Sequence, residues 1–309
     1  MEYAFGIDVG GTNIKVGLFE VLTFDMIDKR ETSTPKDNHR ESIFSDVKKI
    51  MDDMMVDNGL SYDQIQGVGF AVPCPVKDGF VKQCANLDWS NLDVIEAMKQ
   101  RLPKHVHIVV SNDANIAAFG ENHMLETPLR NAIFYTLGTG VGGGIIINGE
   151  IVEGRTGSGG EIGHMPIFET DVVCGCGKTG CLEQVCGTKA ILGYARELSL
   201  THKTSIDFSD FTVKSVFDAA KRNDEVGLMV LDRVAKYMAL SASMLAISLD
   251  PEIFIIGGGI AKAGQILIDY IVKHYKTYAR FGTIDVPFVL AKTGNDAGII
   301  GAAKYAIIR

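Results

Sequence analysis

Two stretches of this chain carry the same design, and that repetition limits the fold more than any other feature. Residues Ala4 to Phe19 read AFGIDVGGTNIKVGLF. After the glycines, Ile14, Val16 and Leu18 alternate with Asn13, Lys15 and Gly17, which is the period of a strand. Gly10-Gly11-Thr12 therefore closes a strand-turn-strand hairpin, whereas a dinucleotide-binding glycine turn would open a helix. Residues Ala132 to Asn148 read AIFYTLGTGVGGGIIIN and repeat the arrangement. Either turn alone is equally an ordinary hairpin. Together, in two halves of one chain, their backbone N–H groups and the hydroxyls of Thr12 and Thr139 would face one polyphosphate from opposite sides. Asp8, Gly10, Gly11 and Thr12, with Gly138, Thr139 and Gly140, are thus candidate nucleotide-binding residues.

A second stretch, Glu161 to Cys186, reads EIGHMPIFETDVVCGCGKTGCLEQVC and holds most of the metal-capable residues. Zinc prefers a tetrahedron of sulfur and nitrogen donors, and His164, Cys174, Cys176 and Cys181 supply a Cys3His set. Gly175, Gly177 and Gly180 would permit the positive-φ turns that bring neighbouring sulfurs round one ion. Unliganded thiols are the plain alternative. A disulfide framework is not expected, because the opening MEYAFGIDVGG has no signal segment to send the chain to an oxidising compartment. A nucleic-acid zinc ribbon would want a second cysteine pair and a basic surface, and here Glu161 and Glu183 flank the set instead. A metal that pins His164 and the turn also fixes where those carboxylates point, an arrangement suited to binding hydroxyls. Gly177-Lys178-Thr179 is not a phosphate-binding P-loop, since Val172 stands where its first glycine should be.

Glu161-Ile-Gly-His164 followed by Cys174-Gly-Cys-Gly-Lys-Thr-Gly-Cys-Leu-Glu183 resembles the signature of the ROK family of sugar kinases and repressors. The resemblance runs from Asp8 to Gly301. It implies that His164, Cys174, Cys176 and Cys181 hold a structural Zn2+, and that Glu161, His164 and Glu183 bind sugar hydroxyls. It implies the same ligand role for Asn86 and Asn112, a general-base role for Asp113, and an adenosine contact at Gly257-Gly258-Gly259. The implied fold is α/β, a duplicated actin-like ATPase (ribonuclease H-like) fold of two domains with an interdomain active-site cleft. Residues 1–114 plus 296–309 would form the N-terminal domain, and 115–295 the C-terminal domain with its zinc-binding insertion. Within Pro73-Cys74-Pro75, Cys74 departs from the family's glycine, and substrate preference is expected to feel it.

The rest of the chain agrees with this outline. At 309 residues and 46% hydrophobic content it can bury two cores, and a net charge of -8 argues against nucleic acid or an anionic membrane as partner. Val226 to Leu249 is interrupted by Asp232, Arg233 and Lys236, so it reads as a buried amphipathic helix rather than a membrane span. With no signal segment in the opening residues, a cytoplasmic location is expected. Ser42 to Asn58 spaces Ile43, Phe44, Val47, Ile50, Met51, Met54 and Met55 as a core-facing helix. Ile65 to Val72 is a buried strand, and Trp89, the single tryptophan, reads as a packing residue in a polar loop. Ser205 to Asn223 reads as polar helix. His107 to Val110 is a strand that ends in Ser111-Asn112-Asp113 before a helical pattern. Ligands sit at such strand ends, yet Asp and Asn there also cap helices, and both readings of Asp113 stand at this point. Ile253 to Ile256 runs into the Gly257 to Gly259 turn. Asn295 to Ile308 has small residues at helix spacing, as in close helix packing against the first domain.

The resemblance implies ATP-dependent phosphorylation of a hexose at the 6-hydroxyl, at the entry to glycolysis. Glucose is the commonest acceptor, with N-acetylmannosamine, fructose, mannose and allose as alternatives. Phosphoryl transfer needs an in-line hydroxyl, charge neutralisation by Mg2+ and a base. Asp8 would hold Mg2+ through water, Thr12 and Thr139 would hold phosphates, Asp113 would take the proton, and domain closure would exclude water. The implied partners are ATP, a hexose and a second copy of the chain in a homodimer. A sugar-sensing repressor would need an N-terminal DNA-binding domain, and the first hairpin begins within a few residues of Met1. A side chain at Gly11 or Gly140 would be expected to block ATP while sparing the sugar site and the zinc.

Overall fold

The computed structural model describes residues 1–36 and 40–309. The chain divides into two compact units, one of Met1–Pro128, Ile151–Gly160 and Asn295–Arg309, the other of Leu129–Glu150 and Glu161–Gly294.

In the first unit β1 (Tyr3–Val9) and β2 (Asn13–Glu20) pair antiparallel across the glycine turn. Phe5, Ile7, Val9, Ile14, Val16 and Leu18 are fully buried, as the alternating pattern requires. The charged strand β3 (Met26–Ser33) forms one edge, where ionic side chains discourage pairing with a further strand. Helix α1 (Arg40–Asp57) buries Ile43, Phe44, Val47, Met51 and Met54. Strand β4 (Ile65–Val72) is followed by a small ribbon of β5 (Phe80–Cys84) and β6 (Trp89–Asp93), then α2 (Val94–Lys99), β7 (His107–Asn112) and α3 (Asp113–His123). The ribbon stands apart from the main sheet, whose order is β3-β2-β1-β4-β7 with β1, β4 and β7 parallel. Trp89 lies within β6 rather than in a loop. It is 1% exposed and stacks on Phe44 at 5.7 Å between ring centroids, so it is a packing residue.

The second unit holds β8 (Ala132–Leu137), β9 (Val141–Ile147), the start of β10 (Glu150–Ile151), α4 (Glu183–Cys186), α5 (Thr188–Leu198), α6 (Val213–Lys221), α7 (Glu225–Leu249), β11 (Ile253–Gly257), α8 (Gln265–Tyr278) and β12 (Phe288–Leu290). Its sheet order is β10-β9-β8-β11-β12. Numbered in chain order within each sheet, both read 3-2-1-4-5, three consecutive strands followed by two parallel additions apiece. The duplication visible in the glycine turns thus extends to the whole sheet. Helix α7 opens with the Asp224 side chain accepting from the Gly227 amide and stops at Asp250, left-handed at φ 45, before Pro251. No helix among the described residues is long and apolar enough to cross a membrane. Of the span read as polar helix, only α6 and a short turn at Phe208–Asp210 are helical, because the side chains of Asp207 and Thr212 cap each start separately.

Helix α9 (Ala297–Ile308) returns to the first unit and packs at backbone distance. A Cβ added to Gly6 would lie 1.8 Å from the Ile299 carbonyl oxygen, one on Gly69 would lie 1.9 Å from that of Ala302, and one on Gly301 would lie 2.0 Å from that of Ile116. The small-residue spacing in the sequence reflects this approach. Contact between α9 and α3 also keeps α3 in the first unit, which runs to Pro128, whereas the sequence-derived border stood at 114.

Candidate active site

In the first unit three parallel strands deliver their following residues to one sheet edge, where α/β sheets bind ligands. Asp8 on β1 lies opposite Ala71 on β4, and Val72 lies opposite Asn112 on β7. Gly10-Gly11-Thr12, Pro73-Cys74-Pro75 and Asn112-Asp113 therefore emerge side by side. The Asp8 carboxylate packs so closely on α9 that a Cβ on Gly298 would sit 2.7 Å from it. Burial pushes its pKa above the usual carboxylate value, while its cross-strand partner Lys15 pulls the other way. Lys15 is itself held, donating to the Asn295 carbonyl at 2.8 Å.

Thr34 clamps the first glycine turn. Its hydroxyl donates to the Gly10 carbonyl at 2.6 Å, and its amide to that of Thr12 at 2.7 Å. Gly11, Thr34, Lys36 and the segment Ala85 to Asp88 line a cavity of about 220 Å³, which brings Asn86 beside the candidate phosphate turn. A Cβ on Gly11 would come only within 3.4 Å of the Asn86 carbonyl oxygen.

The capping question at α3 has a definite geometry. Asn112 is the N-cap, its Oδ1 accepting from the amides of Ala114 at 2.9 Å and Asn115 at 3.2 Å. Its Nδ2 donates to the Cys74 carbonyl at 3.3 Å. A primary amide carries two N–H groups, so this bond does not exhaust it as a donor. Asp113 is the first helical residue and also accepts from the Ala114 amide, at 2.8 Å.

In the second unit a threonine again clamps the turn, Thr188 donating through its hydroxyl at 2.8 Å and its amide at 3.0 Å to the Gly138 carbonyl. Strand β11 runs parallel to β8 with Gly257 opposite Thr136, so the glycine run leaves the same edge as the Gly138-Thr139-Gly140 turn. Gly258 is left-handed at φ 84, and a Cβ there would meet the Leu137 carbonyl oxygen at 2.3 Å, so glycine is required. The metal-capable stretch sits directly on this hairpin. A Cβ on Gly163 would be 1.8 Å from the Val141 carbonyl oxygen, and Glu183 Oε2 accepts from the Val141 amide at 3.0 Å. A Cβ on Gly140 would fall 2.0 Å from that same Glu183 oxygen. A side chain at Gly140 would therefore have to displace the carboxylate of Glu183, a candidate sugar ligand, a coupling that the sequence does not reveal.

His164, Cys174, Cys176 and Cys181 place their ligand atoms within 4.8 Å of one another. Cys174 Sγ is 3.7 Å from His164 Nδ1, and Cys176 Sγ is 3.6 Å from Cys181 Sγ. A tetrahedron with metal bonds of about 2.0–2.3 Å has edges of roughly 3.3–3.8 Å, so the donor set fits zinc in type and spacing. Burial pushes the Cys181 thiol up to about 12 and also raises Cys174, whereas a backbone hydrogen bond at Lys178 lowers Cys176. A bound cation would supply the charge that lets all three ionise. Gly177 and Gly180 take positive φ of 83 and 80, but Gly175, expected to do the same, does not. Both flanking carboxylates touch the set: Glu183 Oε1 lies 3.7 Å from Cys174 Sγ, and Glu161 Oε2 lies 4.0 Å from His164 Nε2.

Comparison with known proteins is consistent along the whole length, the ROK family model matching residues 4–308. The chain belongs to the ROK family. A glucokinase of Halalkalibacterium halodurans is 37% identical over 309 residues, covering 96% of this chain and 92% of its own. An N-acetylmannosamine kinase of Haemophilus influenzae is 28% identical over 304 residues, covering 97% and 93%. Among solved structures, a ROK family glucokinase from Streptomyces griseus in complex with glucose and AMPPNP matches with a TM-score of 0.75 at 28% identity, over 99% of this chain and 100% of its own. The duplicated 3-2-1-4-5 sheet is the actin-like ATPase fold of the ROK sugar kinases.

For a ROK chain, the residues missed in the sequence are those that hold the site's parts in place. Thr34, Thr188 and the Val141 amide lie far in sequence from the turns and carboxylate they secure, and a single threonine carries no local signal. The expectation of no disulfide is also corrected. Cys74 and Cys84 are joined, with Cα atoms 5.1 Å apart and each residue 2% exposed. The bond ties the loop after β4 to the end of β5, two residues before Asn86. The one available signal was Cys74 itself, standing where the family keeps glycine.

Proposed function

We propose that this ROK protein transfers the γ-phosphoryl group of ATP to the 6-hydroxyl of a hexose, with glucose as the acceptor. The observation that carries the reading is the convergence, on one parallel-strand edge, of a buried carboxylate, a clamped glycine turn and the Asn112-Asp113 pair, with Asn86 on a cavity shared with that turn. Asp113 takes the proton of the acceptor hydroxyl, and Asn86 and Asn112 orient the sugar. Glu161, Glu183 and the Nε2 side of His164 bind further hydroxyls. Thr12, Thr139 and the turn amides around them, at Gly10, Gly11, Gly138 and Gly140, receive phosphates, and the Gly257 to Gly259 run receives the adenosine. Mg2+ bound with ATP supplies the charge neutralisation that phosphoryl transfer requires. Asp8, buried at the end of β1, would hold its hydration shell. His164, Cys174, Cys176 and Cys181 would hold a structural Zn2+, whose role would be to fix the orientation of His164 and of the loop that leads to Glu183. The assembly expected is a homodimer, the commonest symmetric oligomer, working in cytoplasmic sugar metabolism.

N-acetylmannosamine is the second acceptor to consider, because a kinase of that name aligns over nearly the full chain. Coupled ADP release against a panel of hexoses and N-acetylhexosamines separates the two. The proposal expects the highest kcat/KM with glucose. ATP turnover that no sugar stimulates would contradict it.

A further inference from the structure

We propose that the Cys74–Cys84 disulfide positions the sugar-facing loops of the first unit, and that its reduction weakens sugar affinity while turnover is largely kept. This rests on the reading of Asn86 and Asn112 as acceptor ligands.

The ribbon that carries Asn86 needs an anchor. Strands β5 and β6 form a two-stranded sheet of their own, and such a ribbon is marginal without packing or a covalent tie. Its turn, Ala85 to Asp88, is mostly exposed, with Asp88 left-handed at φ 51. Packing of Trp89 on Phe44 holds one side. Cys84, cross-strand partner of Trp89, holds the other through the bond to Cys74.

At its other end the bond meets a stiff loop. Cys74 stands between two prolines, which fix φ on either side. Its amide donates to the Val72 carbonyl at 2.8 Å, and its carbonyl accepts from Asn112 Nδ2 at 3.3 Å. One covalent link therefore connects the turn bearing Asn86 to the loop against which Asn112 is oriented. A glycine at position 74 could make no such link, so this departure from the family is a device of this chain. Asp113 lies on α3 and not on the ribbon, which is why loosening the ribbon should act on binding more than on chemistry.

Reduction by a dithiol is balanced as follows. A reductant thiolate attacks one of the two sulfurs, the Cys74–Cys84 bond breaks, and the other cysteine leaves as a thiolate that takes up a proton. The reductant's second thiol then resolves the mixed disulfide, freeing the remaining cysteine as a thiol, and the reductant departs as its cyclic disulfide. Two electrons and two protons pass to the protein. The two thiols keep nearly the volume of the bridge, so the surrounding core is retained and the tether alone is lost. Because both cysteines are 2% exposed, exchange requires local opening and is slow in the native state.

The test compares zinc-loaded wild-type enzyme after equilibration with oxidised or reduced dithiothreitol, cysteine states being read by alkylation and peptide mass spectrometry. The oxidised enzyme should show Cys74 and Cys84 linked. Reduction should raise the glucose KM on the order of fivefold through lost preorganisation. It should leave kcat within about twofold, as expected for an effect on binding. A Cys74→Ser/Cys84→Ser enzyme, which keeps the zinc thiols, should match the reduced form and ignore redox treatment. Free thiols at both positions after oxidation, an equal KM in the two forms, or a double variant that still responds to redox would each overturn the proposal. Asn86→Ala is the separating control. An unchanged KM there means the acceptor reading of the loop is wrong, whereas a raised KM with no redox effect condemns the positioning role alone.

Discussion

The carboxylate of Glu183 accepts the backbone amide of Val141 at 3.0 Å, so the residue that follows the metal-capable loop is bonded to the turn of the second glycine hairpin. The candidate sugar-binding and phosphate-binding elements, separate in sequence, share one hydrogen bond. A carboxylate accepting a backbone amide makes a charge-assisted bond, stronger than a neutral pair.

This link makes the two hairpins unequal under mutation. At Gly11 a methyl group would make only an ordinary 3.4 Å contact with the Asn86 carbonyl oxygen, so under the proposed reading Gly11→Ala should raise the ATP dissociation constant by about tenfold, through blocked backbone approach, with melting temperature unchanged. At Gly140 the methyl collides with Glu183. Gly140→Ala should weaken ATP and sugar together and lower the melting temperature. Calorimetric titration of both ligands into both variants checks this. A Gly140 variant that lost ATP affinity alone would show Glu183 to be independent of the turn.

Elemental analysis of the purified protein should find about one zinc per chain, since the four donors complete a tetrahedron. Cys176→Ser, at the exposed corner of the set, should lower metal retention and sugar affinity in parallel, because the same loop positions His164 and Glu183. Metal-free protein with full stability and full activity would contradict the assignment.

Asp8 should cost stability at neutral pH. Burial raises its pKa above the ordinary 3.8, so the folded protein holds this proton more tightly than the unfolded chain does. The stability it contributes is complete below 3.8 and is lost as pH rises through the raised value. Asp8→Asn should therefore melt at a higher temperature than wild type at about pH 8, with the gap closing toward pH 4, while ATP turnover collapses. A variant less stable than wild type at the higher pH would refute the burial cost.

How much of this could be read in advance depended on whether a residue's neighbours in space were also its neighbours in sequence. Both hairpins were legible because alternation and glycine sit within one short window. Helices α1 and α7 were legible from their spacing of apolar residues. Strand β3 was not, since an exposed charged edge carries no apolar alternation, and the β5-β6 ribbon was too short to announce itself. Within the site, the residue types of Asp8, Asn112, Asp113 and the Cys3His set were visible. Their clamps were not: Thr34 reaches back 24 positions to Gly10, and Thr188 reaches back 50 to Gly138. The Cys74–Cys84 pair was hidden because cysteine spacing does not determine connectivity.

The central claim is that Asp113 is the base, and kcat of Asp113→Asn tests it most directly. The variant should fold normally, because Asn112 provides the N-cap and an asparagine at 113 still offers an oxygen to the Ala114 amide. An amide cannot take the hydroxyl proton, so kcat should fall by a factor on the order of 100 or more, with the sugar KM changing much less. A kcat close to that of wild type, in a variant of unchanged melting temperature, would mean that Asp113 serves the helix and not the reaction.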